Sequence, residues 1–298
     1  GIGGGEQSAG AVNVNISGGE VHASTDYGNG GAAIGGGEQS KGATTIDISG
    51  NAQVSANGSD GAAIGSGESS TGAATINISG NAQVSANGRN GAAIGSGKDS
   101  SGETNIDITG AALVSANGSN SAGIGSGSSS SGETTINIHD TAEGKGVQRA
   151  FSSSGAGIGS GSYASGKTHI AIGKASVSTL GNFPATADSS GAGIGSGSSD
   201  TKNDSKKGVV TINITGGTIT EATGGKYGGA GIGSGSYGDS TDASKKGAVT
   251  INIKGGEITA TGGSAHMSGT ALRYSGAGIG AGTNAGNTTI NIEDKAHI

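Results

Sequence analysis

The sequence has few of the residues that usually build or cross-link a protein core. Its 298 residues include no cysteine, no tryptophan, one proline, one methionine, two phenylalanines and five tyrosines. The lack of cysteine excludes disulfides and thiolate-ligated metal sites, although it says little about the compartment. The scarcity of aromatic residues argues against a globular core packed from large side chains.

Charge and hydropathy exclude two further classes. There are 16 basic and 22 acidic residues, for a net charge of −6, and no long basic run occurs. We therefore expect no nucleic acid partner, because binding to phosphates needs clustered cations. No run approaches the roughly 18 apolar residues of a membrane-spanning helix, so we also expect no membrane insertion within this segment.

Glycine is the residue in excess, at 67 of 298 positions, which is about three times its average usage. Only 31% of the residues are hydrophobic. Such a composition is also typical of disordered glycine/serine linkers. The regular placement of the apolar residues argues against disorder.

A glycine-rich motif with one isoleucine recurs along the whole chain. It reads GAGIGSG at 155–161, 191–197 and 229–235, and its isoleucine occurs at positions 2, 34, 64, 94, 124, 158, 194, 232 and 279. A second signal, such as IDI or INI, follows each motif and starts at Val14, Ile46, Ile76, Ile106, Ile136, Ile170, Ile212, Ile251 and Ile290. A third, such as VSA or ITA, starts at Val21, Val54, Val84, Val114, Ile219 and Ile258. A repeat of this kind indicates a stacked architecture.

Alternating β-branched residues predict short strands, and the glycine content argues against helices. One unit cannot bury its few isoleucines alone, whereas stacked units place each isoleucine on its counterpart. The sequence therefore predicts an all-β parallel β-helix (a β-solenoid) of about nine rungs.

The glycines of the motif have two possible roles. Alternation places Ala156, Ile158 and Ser160 on one side of the strand and glycines on the other. With the isoleucine inward, the outer face is nearly bare backbone. Tight turn geometry explains this bareness, and so does a flat wall for another chain. A dinucleotide loop is rejected because no helix pattern follows the glycines.

The combination of AGIGSG, TINISG and VSA resembles the glycine-rich repeat regions of large surface proteins of Gram-positive, often gut-dwelling, bacteria. The resemblance covers the whole chain. It implies a right-handed, pectate-lyase-like β-helix used in adhesion or carbohydrate binding. It also implies an extracellular location, either secreted or attached to the cell wall.

The second signal predicts a regular polar outer face. Its central outward row is Asn15, Asp47, Asn77, Asp107, Asn137, Ala171, Asn213, Asn252 and Asn291. The row beside it is Asn13, Thr45, Thr75, Asn105, Thr135, His169, Thr211, Thr250 and Thr289. One interpretation is a ladder of side-chain hydrogen bonds. The other is a polar platform for a repeating ligand such as a polysaccharide, with Thr211, Asn213, Thr250 and Asn252 as candidate binding residues.

The second half of the chain differs from the first. Compact rungs occupy residues 1–140, and loop-decorated rungs occupy 141–298. The expected loops are 141–154, 180–190, 198–208, 236–247 and 263–274. Long loops on a rigid solenoid commonly carry binding residues.

Two alignments in this half nominate ligand-binding residues. KYGGAGIG at 226–233 matches RYSGAGIG at 273–280, which places Tyr227 and Tyr274 on adjacent rungs beside Lys226 and Arg273. Such a pair suits a sugar ring or a protein partner, or it packs ring on ring over the end of the rod.

The other alignment is SKKG at 205–208 with SKKG at 244–247. It places Lys206 over Lys245 and Lys207 over Lys246. Like charges repel in a ladder, so either the two loops splay apart or an anion binds between them.

The sequence gives little support for catalysis. Asp47 and Asp107 lie two rungs apart with Asn77 between them, and no cysteine nucleophile exists. The five histidines share no ligand spacing, and His139 and His169 are expected in adjacent rungs, offset by one strand position. We therefore expect no enzyme activity, no cofactor and no metal.

We interpret residues 1–298 as one β-helix segment, an excerpt of a longer chain. The expected function is that of a non-catalytic surface adhesin that binds a polysaccharide or glycan, or a host surface protein, through its outer face and long loops. A carbohydrate-binding module, a receptor for mucin or immunoglobulin, and a passive structural stalk remain as alternatives.

Overall fold

The computed structural model describes residues 1–142, 145–180, 191–198, 208–236, 246–263, 267–268, 271–272, 275–293 and 295–298. The description of 176–180, 267–268 and 271–272 is limited to the backbone. None of these residues belongs to a helix with the length and apolar character needed to cross a membrane.

Three parallel sheets run the length of the described chain, and each rung contributes one strand to each sheet. Sheet A consists of β1 (Ile2–Gly3), β4 (Ile34–Gly35), β7 (Ile64–Gly65), β10 (Ile94–Gly95), β13 (Ile124–Gly125), β16 (Ile158–Gly159), β19 (Ile194–Gly195), β22 (Ile232–Gly233) and β27 (Ile279–Gly280). Sheet B consists of β2 (Val12–Ile16), β5 (Thr44–Ile48), β8 (Ala74–Ile78), β11 (Thr104–Gly110), β14 (Thr134–Thr141), β17 (Thr168–Ile172), β20 (Val210–Ile214), β23 (Val249–Ile253) and β28 (Thr288–Ile292). Sheet C consists of β3 (Glu20–Ser24), β6 (Gln53–Asn57), β9 (Gln83–Asn87), β12 (Leu113–Gly118), β15 (Gly146–Ser152), β18 (Ser176–Leu180), β21 (Thr218–Thr223), β24 (Gly256–Thr261) and β29 (Ala296–His297).

The register of sheet A places each isoleucine on its counterpart in the next rung. Ile34 pairs with Ile64, and Ile64 pairs with Ile94. Each sheet has nine strands within the described residues, which at about 4.8 Å per rung gives a rod of about 40 Å. The right-handed parallel β-helix of about nine rungs is confirmed.

The core is a set of isoleucine, valine and alanine columns. Sheet A contributes one fully buried isoleucine per inner rung, and sheet B contributes two, such as Ile76 and Ile78. Sheet C contributes a smaller pair, such as Val84 and Ala86. Burial of a branched aliphatic side chain is worth about 1.5–3 kcal/mol, so the columns stabilise the stack despite the low apolar content.

The sheet A glycines are required by backbone contact between rungs. Gly95 has a φ of +142°, and a Cβ built there would overlap the carbonyl oxygen of Gly125 in the next rung. The whole motif at 155–161 is buried. The glycine face is therefore a tight corner between rungs, and the alternative of an exposed flat wall is wrong.

We expect Gly95→Ala to lower the free energy of unfolding by at least roughly 2 kcal/mol, because it combines a positive φ with backbone overlap. Gly18→Ala is the control, since a Cβ at Gly18 would meet nothing within 4 Å. Urea unfolding followed by circular dichroism measures both. Equal stability of the two variants would contradict the role assigned to this glycine.

A column of buried serines runs inside the helix beside the isoleucines. The Oγ of Ser126 accepts a hydrogen bond of 2.9 Å from the backbone N–H of Gly161 in the next rung. The same bond recurs from Gly97 to Ser66, Gly127 to Ser96, Gly197 to Ser160, Gly235 to Ser196 and Gly282 to Ser234. These serines satisfy backbone donors that water cannot reach.

Ser126→Ala should cost about 1–3 kcal/mol of stability, because it leaves the buried N–H of Gly161 without its acceptor. Ser131→Ala, at an exposed position of the same rung, should change stability by less than about 0.5 kcal/mol. Urea midpoints of the two variants test this. A midpoint for Ser126→Ala that equals that of Ser131→Ala would show that the bond contributes nothing.

Part of the predicted loop region is strand. Within 141–154, β15 continues sheet C, and its Val147 and Ala150 are buried in the core columns. This rung has VQRA where other rungs have VSA, which is one residue more. The extra residue shifts the register of the strand pair, as in a β-bulge. The expectation of a loop over 141–154 is therefore wrong, and the bulge explains why the third signal was missed in this rung. Within 263–274, Met267–Ser268 (β25) and Ala271–Leu272 (β26) form an antiparallel pair.

Candidate ligand-binding faces

The outer face of sheet B has the predicted rows. Asp47, Asn77 and Asp107 occupy adjacent rungs in register, as do Thr45, Thr75 and Asn105. Asn77 Nδ2 donates to Asp47 Oδ1 at 2.7 Å. The predicted ladder of side-chain hydrogen bonds is therefore present on this face.

The four candidate residues on this face lie together. Thr211 pairs with Thr250, and Asn213 pairs with Asn252. Asn252 Nδ2 donates to Asn213 Oδ1, and Asn291 Nδ2 donates to Asn252 Oδ1, both at 2.8 Å. Because these amides bond one another, the four residues form a half-buried polar stripe.

Lys98, in one of the regular rungs, is paired with two carboxylates. Lys98 Nζ lies 2.6 Å from Glu68 Oε1 and 3.0 Å from Asp99 Oδ2. The hydrogen bond to Glu68, aided by Asp99 and opposed by burial, raises the pKa of Lys98 above its usual range. A lysine held in this protonated state is suited to structural pairing and not to proton abstraction.

His139 is the other perturbed group. Its Nδ1 lies 3.0 Å from Asp140 Oδ2, and its Nε2 lies 3.1 Å from Asp107 Oδ1 in the preceding rung. The hydrogen bond to Asp140 and the charge of Asp107 raise the pKa of His139, and burial opposes them. Among the described residues, no group of three or more His, Cys, Asp or Glu side chains could hold a metal ion.

The expected offset of the two histidines is wrong. His169 pairs with Thr135, whereas His139 lies four residues further along the strand, next to Gly173. The expectation misjudged the offset because it compared the two histidine-containing strands without the register that places Ile138 opposite Ile172.

His139 should make stability depend on pH. Because its folded-state pKa is raised, its stabilising contribution is complete below the unfolded value of about 6.5 and is lost as the pH rises through the folded value. We expect the stability difference between the native chain and His139→Ala to shrink as the pH rises above about 6.5 and through the raised folded-state pKa. Salt should shrink it too, because the His139 side chain is 43% exposed. Urea unfolding at several pH values measures this.

Asp140→Asn is the matched variant, because it removes the partner that contributes most to the raised pKa. The pKa of His139 followed by NMR should fall in this variant. A pKa that stays unchanged would contradict the assignment.

The predicted aromatic and lysine sites are described only in part. Tyr227 and Lys226 are both half-buried, with the Lys226 Nζ 6.0 Å from the Tyr227 ring centroid. This distance is at the outer limit of a cation–π contact. Tyr274, Arg273, Lys206, Lys207 and Lys245 lie outside the described residues.

The structure identifies an exposed tyrosine stacked against an arginine, a pair that sequence reasoning missed. Tyr27 is 80% exposed, and the Arg89 guanidinium lies 4.1 Å from its ring centroid. The loop that carries Tyr27 is anchored by the Gly28 N–H, which donates to Ser59 Oγ at 3.0 Å. The two residues lie 62 positions apart in the chain, and only the stacking of rungs brings them together.

Comparison with known proteins supports the architecture. The model of a family described as beta helix repeat matches residues 14–38, 46–68, 76–98, 212–236 and 251–283. Each match runs from a sheet B strand through sheet C to the next sheet A strand, which is one full turn of the rod. No curated protein and no solved structure matches the chain. The chain is thus similar to beta helix repeat proteins, which supports the pectate-lyase-like parallel β-helix.

Proposed function

We propose that this β-helix is a non-catalytic binding segment of a bacterial surface protein, secreted or attached to the cell wall, and that it acts as an adhesin. Its ligand is a polysaccharide or glycan, or a host surface protein. The proposal rests on the outer surface, where rigid rungs hold polar side chains in columns.

Three carboxylates on the regular rungs have structural partners. Asp47 accepts from Asn77, Asp107 lies beside His139, and Glu68 pairs with Lys98. Columns of amides and hydroxyls at a constant spacing of about 4.8 Å suit recognition of a repeating ligand. This arrangement favours binding over catalysis.

The first test is a binding screen of the whole chain against a glycan array with mucin and immunoglobulin spotted beside the sugars. We expect saturable binding to at least one class. A protein hit makes the segment a host-protein adhesin, and a sugar hit makes it a carbohydrate-binding segment. Absence of binding on every spot contradicts the proposal and favours the passive stalk.

Paired variants then test the loop residues. Tyr227→Ala with Tyr274→Ala should weaken binding roughly tenfold if the tyrosines contact the ligand. Lys206→Glu with Lys245→Glu should alter the salt dependence of binding if an anion lies between the lysines. Lys41→Glu, at an exposed position of a compact rung, is the control for charge reversal.

A further inference from the structure

A shallow groove of about 320 Å³ runs along the outer face of sheet C. Its central part is bordered by Gln53, Gln83 and Leu113, and its floor includes Ser55, Ser85 and Ser115. The register stacks the three serines one above another, so small side chains keep the groove open across three rungs. This face was not singled out from the sequence.

The central part of this face carries no charged side chain. Across β6, β9 and β12 the outward residues are Gln53, Ser55, Asn57, Gln83, Ser85, Asn87, Leu113, Ser115 and Asn117. The charged groups lie at the two ends of the groove region and have partners there. His22 Nε2 lies 2.9 Å from Glu20 Oε1, and the Arg149 guanidinium lies 5.2 Å from the Phe151 ring centroid.

The asparagine row fixes the orientation of its amides. Asn87 Nδ2 donates to Asn57 Oδ1, and Asn117 Nδ2 donates to Asn87 Oδ1, both at 2.9 Å. Each bond uses one N–H of the donor amide, and each amide has two. The row therefore presents ordered hydrogen-bonding groups in register with the groove.

The stacked pair of Tyr27 and Arg89 lies next to this row. Tyr27 follows the last residue of β3 by three positions, and the Thr25 N–H donates to the Asn57 carbonyl at 3.0 Å. Arg89 follows Asn87 by two positions. Arg89 stacks on the Tyr27 ring, which fixes the ring while leaving Tyr27 80% exposed.

We propose that the groove on sheet C, together with Tyr27, binds an uncharged polysaccharide chain that lies across several rungs. This inference rests on the proposed binding function and names its ligand class and site. Amide and hydroxyl groups without charge match the hydroxyl groups of a neutral sugar, and the exposed Tyr27 ring offers a stacking surface for a sugar ring. The outward positions of β6, β9 and β12 offer an acidic polymer no cation, and the Arg89 guanidinium beside them is stacked on the Tyr27 ring. Leu113 is the one outward apolar side chain of these three strands, since Val54, Val84 and Val114 are buried, whereas protein interfaces centre on apolar anchors.

The test uses affinity electrophoresis of the whole chain in gels containing dextran, mannan, arabinoxylan or mixed-linkage β-glucan, with polygalacturonate as the acidic probe. Ser85→Tyr fills the groove at an exposed position flanked by small neighbours. Ser101→Tyr is the matched control, because it adds a tyrosine at an exposed turn position between β10 and β11. Circular dichroism checks that both variants fold.

We expect retardation by at least one neutral polysaccharide, weakened roughly tenfold or more in Ser85→Tyr and unchanged in Ser101→Tyr. Tyr27→Ala should weaken binding roughly tenfold, and Tyr27→Phe should retain it, because stacking needs the ring and not the hydroxyl.

Three outcomes overturn this inference and leave the proposed function standing. They are sugar binding that Ser85→Tyr leaves unchanged, retardation by polygalacturonate alone, and binding to mucin or immunoglobulin without any polysaccharide. Failure to bind any polysaccharide or protein overturns both proposals.

Discussion

The close contact between glycine backbones at the corner of sheet A is the constraint on which the rest of the structure depends. Gly95 has a positive φ, and its Cα lies so close to the carbonyl oxygen of Gly125 that no side chain fits between them. This contact lets a strand of two residues turn the chain. It also keeps the rungs in register, because each glycine must meet its counterpart, and the isoleucine before it then stacks on the next isoleucine.

Stacking like on like explains how so few apolar residues support a folded chain. Each buried isoleucine contacts equivalent side chains above and below it, so one residue per strand builds a continuous column. The backbone N–H groups inside the rod also need hydrogen-bond acceptors. Ser126 and its counterparts supply them, because each serine Oγ accepts a hydrogen bond from a buried N–H of the next rung. The same inward residue types therefore recur from rung to rung, because each must stack on its counterpart. The outward positions do not have this constraint.

The two exposed sheets use this freedom differently. Sheet B carries Asp47 and Asp107, which are held by Asn77 and His139. The outward side chains in the middle of sheet C are only glutamine, serine, asparagine and one leucine. The same backbone therefore supports a face with paired charges and a face without charge. Only the second of these faces offers an uncharged surface to a neutral ligand.

The spacing of the isoleucine motif and the alternation of the second signal predicted nine stacked units and the register of Asn213 on Asn252, because both depend on local strand periodicity. The bulge at Val147–Ala150 escaped prediction, since one inserted residue is accommodated only by pairing with its neighbour. The pairing of Tyr27 with Arg89 and the open serine groove at Ser85 were decided by the tertiary structure alone. Their partners lie one or more whole turns away in the chain, and only the stacked backbone brings such residues within contact distance.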